Sequence, residues 1–175
     1  MWSDYGSGVE ELVIRLVAPA EYEPAGELVV EAYRTLGDVG DELYERKLRD
    51  VRGRVGTGEV LVADLDGQMV GCVTLAVGKT AMSEVEDPDA ATIRMFGVSR
   101  EARGRGVGEA LMCACIERAR AAGLRRIRLN TRTSMTSAQR LYQRLGFHRD
   151  PDHDWSPAPG ISLLAFVLDL DTPHK

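Results

Sequence analysis

The chain has 175 residues, 44% of them apolar and 28% charged, and a formal net charge of −5. That length gives about one domain, and that balance argues against disorder. The longest uncharged run, Trp155 to Leu168, has 14 residues including two prolines, short of the ~20 that a membrane-spanning helix needs. The opening Met1-Trp2-Ser3-Asp4-Tyr5 lacks the basic start and apolar block of a signal peptide, so a cytoplasmic protein is expected.

Residues 1–10 read as a flexible N-terminal segment and 11–171 as one domain. Leu12 to Val17 predicts a first strand, closed by Pro19. Ala25, Leu28, Val29, Ala32, Tyr33 and Leu36 then share one helix face, and Gly37 ends that helix. A second helix starts at the N-cap Asp41 and carries Leu43, Leu48 and Val51. Val60 to Leu65, Asp66-Gly67 and Gln68 to Val77 make a hairpin, with Asp-Gly supplying the tight turn. An acidic loop follows, with Glu84, Glu86, Asp87 and Asp89. Thr92 to Val98 is the fourth strand, and its Gly97 suggests a bulge or a close backbone approach. The strongest helix spans about Gly106 to Ala122 and ends at Gly123. Arg126 to Asn130 is the fifth strand. Ala138, Leu141, Tyr142 and Leu145 give a fourth helix, stopped by Gly146. Phe147-His148 begins a sixth strand, Asp150 to Gly160 reads as a proline-containing loop, and Ile161 to Leu170 is the last strand. The order implies strands and helices mixed around one sheet.

The three cysteines, at 72, 113 and 115, read as small buried side chains in a reducing compartment. No metal spacing is present. Charge is uneven along the chain. From Arg94 to Arg149 there are thirteen arginines against three acids, a net of +10, while the remainder carries −15. A contiguous cationic block in an acidic protein points to a bound polyanion, either nucleic acid or a phosphorylated cofactor.

The segment Arg103-Gly104-Arg105-Gly106-Val107-Gly108 links a strand to the strongest helix. Glycines at alternate positions permit a tight turn and keep side chains away. Helix-opening N–H groups lack internal partners, and the helix dipole favours an anion there. With two arginines alongside, this is a phosphate cradle in physical terms. A nucleotide P-loop is excluded because no Lys follows Gly108. The dinucleotide fingerprint fits poorly, since its third glycine is misplaced and no acid closes the next strand.

That segment resembles the pyrophosphate-binding motif of the GNAT superfamily of N-acetyltransferases, (Arg/Gln)-x-x-Gly-x-(Gly/Ala). It follows Met95-Phe96-Gly97-Val98, as in the family. Ala138 to Phe147, with Leu141-Tyr142 leading to Gly146-Phe147, is similar to the family's helix-to-strand segment. The resemblance implies a mixed α/β fold: one central, mostly antiparallel, splayed sheet of about seven strands flanked by four helices. It implies transfer of acetyl from acetyl-CoA to a primary amine, the acceptor being a small molecule or a peptide. Neither nucleic acid, membrane nor metal is then required, and a homodimer is allowed.

Carried over residue by residue, Phe96 and Val98 would present strand backbone to the pantetheine arm. Arg103, Gly104, Arg105, Gly106, Val107 and Gly108 would hold the pyrophosphate, and Asn130 would bond near the thioester. Tyr142 matches the proton donor to the leaving sulfur, and it also lies on the apolar stripe of its helix. Tyr33, Tyr44 and Trp155 are acceptor-pocket candidates, and the acidic loops would attract a cationic amine. The chain departs from the family twice. Met135 stands where many relatives have Asn, and the strand Thr92-Ile93-Arg94-Met95 lacks the glutamate that many use as base. That leaves Glu84, Glu86, Asp87 or Asp89 acting through water, or solvent itself. The absent carboxylate keeps a second reading open, a non-catalytic acyl-CoA-binding module.

Overall fold

The computed structural model describes residues 10–37, 40–77 and 87–171. The expected flexible segment 1–10 lies outside these residues except for Glu10, as do Glu84 and Glu86 of the acidic loop. In chain order the elements are β1 (Leu12–Leu16), α1 (Tyr22–Thr35), α2 (Glu42–Arg49), α3 (Val51–Val55), β2 (Glu59–Leu65), β3 (Gln68–Val77) and β4 (Ala90–Val98). These are followed by α4 (Val107–Ala121), β5 (Arg126–Arg132), α5 (Thr136–Arg144), β6 (His148–Arg149), β7 (Trp155–Ala158) and β8 (Ile161–Asp169).

The strands form one sheet in the order β1-β2-β3-β4-β5-β8-β6, with β7 added onto β8. Every pairing is antiparallel except β4 with β5. Helices cover both faces, which is why β2 reads as an unbroken apolar run rather than an alternating one. Val60 and Val62 turn toward α1 and α2, where they meet Val29 and Leu48. Leu61 and Ala63 turn the other way, toward Leu111 and Met112 of α4. The period of two along the strand thus builds two cores from one segment. Gly97 lets β4 lie close to α1, since a Cβ there would sit 2.9 Å from that of Ala32. Cys72 and Cys115 are buried in these layers and Cys113 is half-buried. Burial pushes their thiols up, to about 11 for Cys72 and about 12 for Cys115.

Two elements differ from expectation. The second helix breaks at Asp50, whose ψ of 70° leaves the helical region and whose carboxylate accepts the Gly53 N–H at 2.9 Å. A separate α3 results, giving five α-helices among the described residues instead of four. The expected loop before β8 contains β7, an eighth strand. Its Pro157 is tolerated because β7 lies off the sheet's main path, paired to β8 alone. Among the described residues no helix is long and apolar enough to cross a membrane.

Candidate active site

The site begins where two neighbouring strands part. β4 and β5 pair only from Ala90–Ile93 against Arg126–Leu129. Beyond that, β4 stays on β3, with Arg94 opposite Thr74 and Val98 opposite Gly71. β5 stays on β8, with Asn130 opposite Ala165 and Arg132 opposite Leu163. A bulge in β4 marks the parting: Met95 and Phe96 fall together opposite Val73, and Met95 takes a φ of +53°. The conformation is uncommon for a residue with a side chain, and bulges bend and twist a strand where it occurs. The edge of β4 past Ile93 therefore faces β5 without a strand partner.

Two cavities open on this gap. The first, about 520 Å³, is walled by Phe96 and Val98, by the glycine turn, and by the start of α5. Gly104 and Gly106 take φ of +74° and +80°, and nothing lies within 4 Å of where a Cβ would project. Glycine is needed there for its backbone conformation, and its lack of a side chain leaves the turn open. Gly106 caps α4 without a side chain, and the first helical bond runs from the Ala110 N–H to the Gly106 carbonyl at 3.0 Å. The N–H groups of Val107, Gly108 and Glu109 are therefore not used by the helix, and all three residues line the cavity. Gly108 admits Phe96 against the helix, with Cζ 3.1 Å from the position of a Cβ. Arg103 lies on this wall, and its Nη2 donates to Thr35 Oγ1 at 2.6 Å. Arg105 pairs with Glu10 and is not on the wall. Ser134, Thr136 and Ser137, at the start of α5, also line the cavity. They lie outside the motifs that carry the family resemblance, although three hydroxyl residues at a helix opening are a polar signal visible in the sequence.

The second cavity, about 450 Å³, brings Tyr33, Tyr44 and Trp155 together from three separate elements. The rings of Tyr33 and Tyr44 are 6.3 Å apart. Asn130 lies here rather than in the glycine-turn cavity, on the stretch of β5 just past its last pairing with β4. Met135 lines both cavities. The expected attraction by the acidic loop falls largely on Glu84 and Glu86, which lie outside the described residues. Among the described residues the charged side chains of this wall are Lys47, Arg94, Arg132 and Asp41. Of the loop acids named earlier, Asp87 is held elsewhere, and so is Asp150. Asp87 accepts from Arg126 at 2.7 Å, and Asp150 accepts from Arg128 and from His153 Nδ1, both at 2.7 Å. Burial works to raise both carboxyls, and these partners outweigh it to hold each below its usual value.

Much of the cationic block is similarly engaged. Arg105, Arg118, Arg125, Arg126, Arg128, Arg144 and Arg149 all form ion pairs with carboxylates. The block's net charge is thus largely spent within the protein, and the local turn carries the case for an anion.

Tyr142 is 5% exposed and lines neither cavity. Its ring lies 5.9 Å from Phe147 and 6.0 Å from Phe166, and burial pushes its phenol up. Its neighbours Ala138 and Leu141 form part of the glycine-turn wall, so Tyr142 stands behind that wall. Among the described residues no cluster of His, Cys, Asp and Glu is arranged to hold a metal.

The model of the acetyltransferase (GNAT) family matches residues 24–147. A mycothiol acetyltransferase of Cellulomonas flavigena is 34% identical over 124 residues, which is 66% of this chain and 35% of that protein. The chain thus spans about a third of the length of the curated relative it matches. Among solved structures, a GNAT-family acetyltransferase from Staphylococcus aureus Mu50 superposes with a TM-score of 0.74 at 17% identity, covering 91% of this chain and 99% of that one. The yncA protein of Salmonella typhimurium, solved with its cofactor acetyl-CoA, gives 0.70 at 18% identity over 94% and 97%. Identities this low speak for the shared fold, while the family model reaches across both the glycine turn and the Leu141-Tyr142 to Gly146-Phe147 segment. The chain belongs to the acetyltransferase (GNAT) family.

Proposed function

We propose that this chain transfers the acetyl group of acetyl-CoA to a primary amine, and that residues 11–171 form the one domain that does so. The observation that carries the reading is the parting of β4 and β5 beside the open glycine turn, with a cavity on either side meeting at Met135. The residues present fit the cofactor. The turn has room where side chains would project, its amides are unused by the helix, and a cation lies beside them. In this reading the amides of Val107, Gly108 and Glu109, together with Arg103, hold the diphosphate. Gly104 and Gly106 keep the approach clear, and Arg105 adds positive potential from behind its pair with Glu10. The unpaired edge at Phe96 and Val98 receives the amide-bearing arm as an added strand would be received.

When bound, acetyl-CoA supplies a thioester whose acetyl carbon gains the N–C bond to the amine as the C–S bond breaks, one proton passing from amine to thiolate. A free N–H on the β4 edge stabilises negative charge on the carbonyl oxygen. Asn130 lies at the same parting and bonds close to the reacting centre. Tyr142 donates the proton to sulfur, its burial keeping the phenol protonated at neutral pH. Tyr33, Tyr44 and Trp155 enclose the acceptor. No carboxylate stands on β4 from Thr92 to Met95, so the ammonium gives its first proton to water before attack, and the second, lost as the C–N bond forms, balances the one that Tyr142 gives to sulfur.

That missing carboxylate, with Tyr142 off both walls, favours one second reading: an acyl-CoA-binding module without turnover. Calorimetry with acetyl-CoA, paired with thiol release across a panel of amines, separates the two. Binding with release on at least one amine supports transfer. Binding without release on any amine supports the module, and the absence of binding overturns both.

A further inference from the structure

The polar groups of the aromatic cavity ask for a particular partner. Asn130 Nδ2 and Thr131 Oγ1 are buried and have no hydrogen-bond partner among the described residues, and Thr131 is 4% exposed. Both line the cavity on the stretch of β5 just past its pairing with β4. An unsatisfied buried polar atom costs roughly 1–3 kcal/mol. Successive strand residues face opposite sides of the sheet, and Thr131 shares the face of the core residues Ile127 and Leu129, so Asn130 Nδ2, on the other face, marks the place where ligand atoms complete the bonding. Asn130 Nδ2 only donates. The ammonium of Lys47, on the same wall, makes no hydrogen bond or ion pair among the described residues. Arg94 and Arg132 are engaged by neighbours and are not counted as free donors, though their charges lie on this wall. The wall's acid, Asp41, is occupied as the cap of α2, where its carboxylate accepts the Tyr44 N–H at 2.9 Å. What remains of the lining is largely apolar and aromatic.

Donors and a cation suit an oxygen anion. A carboxylate offers two oxygens with about four acceptor positions, enough for both groups. A purely cationic acceptor would meet a like charge and leave Asn130 unsatisfied. Resting on the reading of the site as an amine acetyltransferase, we propose that the acceptor is a primary amine that also carries a carboxylate beside an apolar body, its carboxylate held by Lys47 and Asn130.

Two product-like probes differing only in the carboxylate test this: N-acetylphenylalanine and N-acetylphenylalaninamide. Each is titrated into the full chain, with and without coenzyme A, while the side-chain amide resonances of Asn130 are followed. The acid is expected to bind roughly tenfold more tightly than the amide, the scale of one charge-assisted hydrogen bond, and to shift the Asn130 signals. Lys47→Met brings the two affinities together, while Lys47→Arg, which keeps the charge, restores the preference. Equal or tighter binding of the amide, or unmoved Asn130 signals with both probes, overturns the proposal. Thiol release from acetyl-CoA with phenylalanine is scored separately. Its failure on every amine counts against transfer, while the titration without coenzyme A still judges the cavity.

Discussion

Arg103 donates from Nη2 to Thr35 Oγ1 at 2.6 Å, which ties the glycine turn to the last turn of α1. The same nitrogen reaches the Ala32 carbonyl at 3.4 Å. Arg103 Nε and Nη1 have no protein partner among the described residues, so the tether fixes the side chain while leaving donors for a ligand. Arg103→Gln should weaken acetyl-CoA binding about tenfold, the worth of a charge-assisted bond. Thr35→Val should weaken it about two- to threefold, by loosening the arginine alone. Calorimetry reads both, and unchanged affinity in Arg103→Gln would remove the residue from the site.

Gly106 separates conformation from space. Its φ of +80° strains any other residue, yet nothing crowds the position of a Cβ. Gly106→Ala should cost about 1–2 kcal/mol of stability, or roughly 2–8 °C in Tm. Gly106→Glu adds a negative charge at the amides and should abolish acetyl-CoA binding. Thermal melts with and without the cofactor distinguish the effects, and full ligand-induced stabilisation in Gly106→Glu would place the diphosphate elsewhere.

Tyr142→Phe keeps the ring contacts with Phe147 and Phe166 and removes only the hydroxyl. The expected result is a kcat lowered roughly ten- to hundredfold with KM for acetyl-CoA little changed. General acids contribute about a hundredfold or more, but a thiol with pKa near ~8.5 leaves readily with less help. Wild-type kinetics in this variant would return Tyr142 to the core.

Asp154 anchors the approach to β7. It accepts from Arg149 Nη1 and Nη2 at 2.7 and 2.6 Å and from the Ala165 N–H at 2.7 Å. Arg149 and then the Ala165 N–H hold its carboxyl down to about 2. A carboxyl lowered on folding stabilises the protein above its unfolded value near ~3.9, and the benefit fades as pH falls from there through about 2. Both side chains are about one-third exposed, so solvent screens the pair. Asp154→Asn should therefore cost only about 0.5–1 kcal/mol at pH 7. Denaturation at pH 7 and pH 2 checks the sign. A penalty as large at pH 2 as at pH 7 would show that the loss is not one of charge.

Arg54 is 4% exposed and bonds no carboxylate among the described residues. Its Nη1 donates to the carbonyls of Lys47 and Leu48 at 2.7 and 2.9 Å, and its Nε to Thr74 Oγ1 at 3.1 Å. The cation thus closes the C-terminal end of α2, where carbonyls lack helical partners and the dipole is negative. Burial lowers its pKa. Arg54→Met strands those acceptors and should cost about 2–4 kcal/mol in chemical denaturation. A loss below about 0.5 kcal/mol, the range of a neutral surface change, would mean water replaces the guanidinium freely.

Local chemistry explains what could be read from the sequence. The apolar stripe of α4, the Asp66-Gly67 hairpin and the glycines opening α4 are each encoded within a few residues, and they emerge as expected. The break at Asp50 was hidden because its side chain competes with the helix for backbone bonds, a contest invisible to hydrophobic spacing. β7 was hidden because Pro157 argues against a strand unless the segment is known to lie off the main sheet. Tyr33, Tyr44 and Trp155 were named from the family's layout. Lys47, Arg94 and Arg132 were not, because nothing in their neighbourhoods along the chain says they share a wall. Their meeting depends on the divergence of β4 and β5, a property of the whole sheet.

The uneven burial of the sulfur atoms governs how turnover is best followed. Free coenzyme A is commonly counted by a colour-forming disulfide reagent, which reacts with any sulfhydryl it can reach. Here the folded chain presents Cys113, while Cys72 and Cys115 are sequestered. A blank reaction should give one equivalent per chain and then a plateau, leaving later colour to catalysis. Slow emergence of the other two would report the sheet coming apart, so a single trace distinguishes an active preparation from one that is unravelling.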